Sequence, residues 1–111
     1  MTWDRRRDTV YVTNFFDGTV TAIDGWTQAP LASIAVGSFP FGLAYDYRNG
    51  DIYVANLAAN SVSVIDGDTR AVVGAVSVGA APVGVAMDQR TGLVYVTNDR
   101  SDSVSVIAPG A

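Results

Sequence analysis

Tyr11-Val12-Thr13-Asn14, Tyr53-Val54-Ala55-Asn56 and Tyr95-Val96-Thr97-Asn98 stand 42 residues apart in a chain of 111. Other landmarks keep the same step. Thr19-Val20-Thr21-Ala22-Ile23 returns as Ser61-Val62-Ser63-Val64-Ile65 and as Ser103-Val104-Ser105-Val106-Ile107. Gly37, Pro40 and Gly42 match Gly79, Pro82 and Gly84, and Asp46 with Arg48 matches Asp88 with Arg90. No gap interrupts the register, so the chain is a tandem repeat and its fold is to be read unit by unit.

Each unit reads as four short strands. In the second they are A, about Gly42 to Asp46; B, Asp51 to Asn56; C, Ser61 to Asp66; and D, Ala71 to Val78. β-Branched and aromatic residues fill these runs, and turn residues bound them: Arg48-Asn49-Gly50, Ala59-Asn60, Asp66-Gly67-Asp68, and Gly79 with Pro82. The Asn49-Gly50 pair predicts a tight hairpin, since both residues tolerate positive φ. In strand C, Val62 and Val64 lie on one face and Ser63 and Ile65 on the other. Small or apolar residues on both faces suit a sheet packed between two others. Four antiparallel strands per repeat of about 40–45 residues is the period of a propeller blade. The reading is therefore an all-β, partial β-propeller: blade one over 1–37, blade two over 38–79, and blade three over 80–111 without its outermost strand.

The Tyr-Val-Thr-Asn motifs, the Ser-Val-Ser-Val-Ile strands and Val78-Gly79-x-x-Pro82 with Gly84-Val85-Ala86 resemble the YVTN repeats of the YncE-like β-propellers. The resemblance covers nearly the whole chain. It implies bacterial or archaeal proteins of about seven blades, often secreted, periplasmic or surface-attached, with no shared catalytic residues to carry over. The propeller lactonases are the enzymatic neighbours. Seven such units need roughly 294 residues. Because Met1 aligns with Leu43 and Ala111 with Thr69, the chain reads as the C-terminal part of a larger propeller, or as a short reading frame descended from one. The ending Ala108-Pro109-Gly110-Ala111 follows strand C and leaves room for a strand supplied from elsewhere.

Composition narrows the chemistry. Hydrophobic residues make up 49% of the chain and charged residues 16%; the basic residues are all arginine and the acidic ones all aspartate. Aspartate suits turns, while the absent lysine and glutamate suit helices. A net charge of −4 argues against nucleic acid as a partner, and Arg5-Arg6-Arg7 sits between Asp4 and Asp8 as a solvated turn. With no histidine and no cysteine, the commonest general base, metal ligand and thiolate nucleophile are absent. No stretch approaches a membrane span, and the N-terminus lacks a hydrophobic signal region. No cofactor or metal is expected, and no compartment is assigned.

Candidate binding residues lie on the loops joining strands B to C and D to the next A, which share one face of the ring. Blade one offers Asn14, Phe15, Phe16, Asp17 and Gly18; the link to blade two adds Ser38, Phe39 and Phe41. Phe15, Phe16 and Phe39 can form an aromatic platform for a protein or small-molecule ligand, or pack against the next blade. The equivalent loops contribute Asn56, Asn98, Asp99 and Arg100. The recurring asparagines either ring a channel mouth or, more simply, end strand B and bond the following turn. Asn98, Asp99 and Asp102 offer oxygens to calcium but lack a fixed-spacing motif, and read as turn residues. Asp46 with Arg48, and Asp88 with Arg90, read as turns with a weak surface pair. Tyr11, Tyr53 and Tyr95 read as packing between blades.

Three functions follow as expectations: a non-catalytic binding or surface-assembly module; a lactonase-type hydrolase using Asp17, Asp99 and Asp102; or a truncated propeller without independent function. A trio of blades leaves two apolar faces and an open strand edge, which predicts association with other blades or with copies of itself.

Overall fold

A computed structural model of the chain describes residues 1–108. Positions 109–111 of the third expected blade lie outside the described residues. Among the described residues, eleven strands form three antiparallel meanders. The first holds β1 (Thr2–Asp4), β2 (Thr9–Asn14), β3 (Thr19–Asp24) and β4 (Pro30–Ala35). The second holds β5 (Pro40–Tyr45), β6 (Asp51–Asn56), β7 (Ser61–Asp66) and β8 (Val72–Ser77). The third, among the described residues, holds β9 (Pro82–Met87), β10 (Val94–Asn98) and β11 (Ser103–Ile107). The chain is a partial β-propeller, with β1, β5 and β9 adjacent on the inner side. The body measures 40 × 33 × 19 Å, and its short dimension matches the length of a six-residue strand, about 20 Å.

Two apolar cores hold the sheets together, one per junction. Between the first and second sheets, Tyr11, Val20, Ala22 and Ile34 meet Leu43, Tyr45, Ile52, Val54 and Ile65. Between the second and third, Tyr53, Val62 and Val64 meet Val94, Val96 and Ile107, flanked by Val85 and Met87. The alternation within β7 sends Val62 and Val64 to one core and Ile65 to the other, as the two-faced strand requires. Tyr95 departs from its expectation. Tyr11 and Tyr53 are buried, but Tyr95 is 38% exposed because no described sheet faces it.

The repeat extends to backbone conformation. Left-handed residues occupy four repeat positions among the described residues: Asp8, Gly50 and Gly92; Gly18, Asn60 and Asp102; Gln28 and Arg70; Phe39 and Ala81. The expected Asn49-Gly50 hairpin is corrected by this pattern. Gly50 alone has positive φ, and the loop is longer: the Gly50 amide donates to the Asp46 carbonyl while the Asp46 carboxylate accepts the Arg48 amide. The aspartate side chain closes the turn, so only one left-handed residue is needed. The Asp46–Arg48 ion pair does not form either. The Arg48 guanidinium instead reaches the Arg90 carbonyl of the third sheet, 3.2 Å away. β5 begins two residues earlier than expected, at Pro40, a position that tolerates proline because it starts the strand.

Candidate functional site

The B–C loops and D–A links gather at one end of the sheets, and backbone hydrogen bonds tie each link to the loop of the following blade. The Leu57 and Ala58 amides donate to the Phe39 and Ser38 carbonyls; the Asp99 and Arg100 amides do the same to Ala81 and Ala80. This repeated scaffold fixes where the loop side chains stand.

All four phenylalanines of the chain meet at the junction of the first two blades. Phe15 stacks on Phe39 at 4.8 Å between ring centroids and 11° between planes, and meets Phe16 and Phe41 edge-on at 5.1 and 6.0 Å. Both geometries are favoured for aromatic pairs. Thr13 donates its hydroxyl to the Phe41 carbonyl at 2.9 Å, which anchors β5 beside the group. Phe15 is half-buried, whereas Phe39 and Phe41 are exposed and Phe16 is 86% exposed. The rings of Phe15, Phe16 and Phe39 thus cluster, and Phe41 joins them through Phe15. The repeat register carried a signal for this fourth member. At the next junction the same four positions hold Leu57, Ala58, Ala81 and Val83, so phenylalanine is confined to one junction and present at all of its four places.

The rings form a ridge between depressions. Asp17 lines one of about 520 Å³ with Phe16 and Phe39. Thr13, Phe15, Pro40 and Phe41 line a more apolar one of about 270 Å³. Arg100 enters a third with Phe39 and Leu57, so Phe39 links the aromatic group to the neighbouring junction. Asp99 stands apart, in a depression with Asp102 and Val104 on the outer side of the third sheet.

Asn56 and Asn98 do not belong to this surface. Both are buried, and each donates through Nδ2 to two hydroxyls of the neighbouring strand, Ser61 and Ser63 for Asn56 and Ser103 and Ser105 for Asn98. Asn14 repeats the pattern with Thr19 and Thr21. Asn56 also accepts the Gly37 amide from the preceding blade through Oδ1. Each asparagine ends its strand B, the Asn14 and Asn56 carbonyls accept amides of the following turn, and the side chains clamp strand B to strand C. Asn98, Asp99 and Asp102, named for calcium, line one depression, while Asp17, which the hydrolase reading adds to the two aspartates, lines another. Among the described residues no three His, Cys, Asp or Glu side chains converge on one point.

The opposite end carries most of the ionic contacts. Asp4, fully buried, accepts the Arg6 and Arg7 amides and the Arg7 guanidinium at 2.8 Å. Arg7 also pairs with Asp68 of the second blade. Burial alone raises the Asp4 carboxyl, but hydrogen bonds from Arg7, with the Tyr45 phenol beside it, outweigh it and hold its pKa below the ordinary value. The Tyr45 phenol is pushed up to about 12, by burial first and by the Asp4 carboxylate next. This end is a structural clamp between blades one and two.

No protein-family model and no curated protein matches the chain. Solved structures do. The chain superposes on Kuenenia stuttgartiensis hydrazine synthase with a TM-score of 0.87 at 27% identity, covering 92% of this chain and 30% of that one. It is similar to the β-propeller domain of Myceliophteria thermophila Cps50 (Swd1), TM-score 0.80 at 15% identity, over 99% of this chain and 35% of that one. The WD40 β-propeller domain of Doa1 matches with a TM-score of 0.73 at 17% identity, over 85% and 31%. The chain therefore spans about a third of the length of these structures.

Proposed function

We propose that this chain is a non-catalytic β-propeller module, built of repeats of the YVTN kind, that binds a partner through the phenylalanine ridge on its B–C and D–A loop face. The observation that carries the reading is the confinement of Phe15, Phe16, Phe39 and Phe41 to one junction of an otherwise regular repeat. A scaffold needing only packing there manages with leucine, alanine and valine, as the next junction does. Rigid, exposed aromatic rings lose little entropy on binding and commonly anchor interfaces. Asp17 and Arg100 flank the ridge from opposite sides and supply polar contacts at its rim.

The test is retention of binding partners on the immobilised chain, compared with a Phe16→Ser/Phe41→Ser variant. Both rings are exposed, so the variant is expected to keep its fold by circular dichroism while losing partners that the parent retains. An unchanged set of partners on a folded variant would exclude the ridge as the binding site. Turnover of a simple lactone, lost on Asp99→Ala, would instead favour the hydrolase reading.

A further inference from the structure

The two outer sheets present apolar faces that match each other through the repeat. At both internal junctions the leading face of one sheet meets the receiving face of the next. The leading residues are Tyr11, Val20 and Ala22 in the first sheet and Tyr53, Val62 and Val64 in the second. Their equivalents in the third are Tyr95, Val104 and Val106, which are 38, 58 and 55% exposed. The receiving residues of the second sheet are Leu43, Tyr45, Ile52, Val54 and Ile65. Met1, Trp3, Val10, Val12 and Ile23 hold those positions in the first sheet, where nothing described covers them, and Trp3 is 51% exposed. All five receiving positions are apolar in each of the three sheets.

We propose that the third sheet of one chain docks on the first sheet of a second copy, head to tail, repeating the internal junction. Two polar features point to a copy of this chain as the occupant. Arg6 donates to the Tyr47 carbonyl of the following blade at 2.6 Å, and Arg48 donates to Arg90 at 3.2 Å. Arg90 is next in that series, and the A–B turn it would reach is the Arg5–Arg6 turn of the next copy. The second feature concerns the carboxylate ending strand A. The Asp4 carboxylate lies against the Tyr45 phenol of the following blade. Asp88 is its equivalent in the third sheet, and the residue at the Tyr45 position in the first sheet is Trp3, whose indole N–H is again a donor. In the single chain that N–H is spent locally on Asp8. The interface is heterologous, so it propagates into a ring if the rotation per copy closes and into an open filament if it does not. It is separate from the phenylalanine ridge, and neither depends on the other.

Light scattering behind size-exclusion chromatography, with the 111-residue chain at micromolar concentration, tests this. A concentration-dependent multimer is expected. Val12→Asp and Val106→Asp each spoil one face, so each is expected to run as a single chain with β-type circular dichroism. Mixed together they are expected to form a 1:1 complex, because the intact third sheet of the first variant fits the intact first sheet of the second. Arg90→Ala, on the exposed rim, is expected to weaken assembly by about tenfold without loading either sheet. A parent chain of single-chain mass would overturn the proposal. So would a Val12→Asp variant that still self-associates, which would mean third sheet on third sheet, or a failure of the two folded variants to combine.

Discussion

Asp4 shows how much a single side chain carries here. It is fully buried, terminates β1, and holds two turn amides and the Arg7 guanidinium at once. Asp4→Ala leaves those donors without an acceptor and a cation without its partner. It is expected to cost about 3 kcal/mol in urea unfolding. Tyr45 couples to the same carboxylate and gives the fold an alkaline limit. Its phenol has a pKa of about 12 in the native chain against an ordinary 10.0. The unfolded state therefore loses its proton first as pH rises, binds fewer protons than the native state, and gains relative stability. Stability from this group is complete below about pH 10. It is expected to fall as pH rises toward 12, and Tyr45→Phe is expected to flatten that part of the urea-midpoint profile.

At the scale of elements, the approach of β5 to β9 depends on one missing methyl. A Cβ on Gly42 would collide with the Val83 carbonyl oxygen, a backbone atom that cannot rotate away. Gly42→Ala is expected to destabilise by about 2–3 kcal/mol by forcing the inner strands apart. Gly74 in β8 is the contrast, with nothing within 4 Å of its virtual Cβ. Gly74→Ala is expected to be neutral, or to stabilise by up to about 1 kcal/mol through the unfolded state. Thermal midpoints of the pair measure both. Outer strands β4 and β8 are largely exposed along their length, while β6 and β7 are buried on both faces. Burial makes the second blade the stability centre of the chain.

Across the whole molecule this gradient has a measurable form. Native-state hydrogen exchange is expected to be slowest in β6 and β7 and fastest in β11, which has no described strand beyond it and an exposed apolar face. Head-to-tail docking covers that face, so β11 protection is expected to rise with chain concentration while that of β6 stays constant. Association and exchange thus report on the same surface independently. The phenylalanine ridge lies at the loop end of the sheets, where docking of the blade faces leaves it open, so one body can assemble laterally and bind a partner axially.

The 42-residue register, the strand order within each blade and the propeller architecture were legible in the sequence alone. Alternation and turn chemistry are local properties, and the repeat printed them nearly three times. The aromatic group was legible in part: Phe15, Phe16 and Phe39 stand in facing loops, but Phe41 lies in a strand, and only the packed junction brings its ring against Phe15. What the sequence could not decide was which polar side chains face solvent. Asn56 and Asn98 end strand B beside the candidate binding loops, and Arg48 looks like the partner of Asp46 two places away. Tertiary structure buries the asparagines under hydroxyls five and seven residues onward, and extends Arg48 to a carbonyl 42 residues away. Burial and long-range hydrogen bonding depend on which surfaces meet, and that is settled only when the sheets stack.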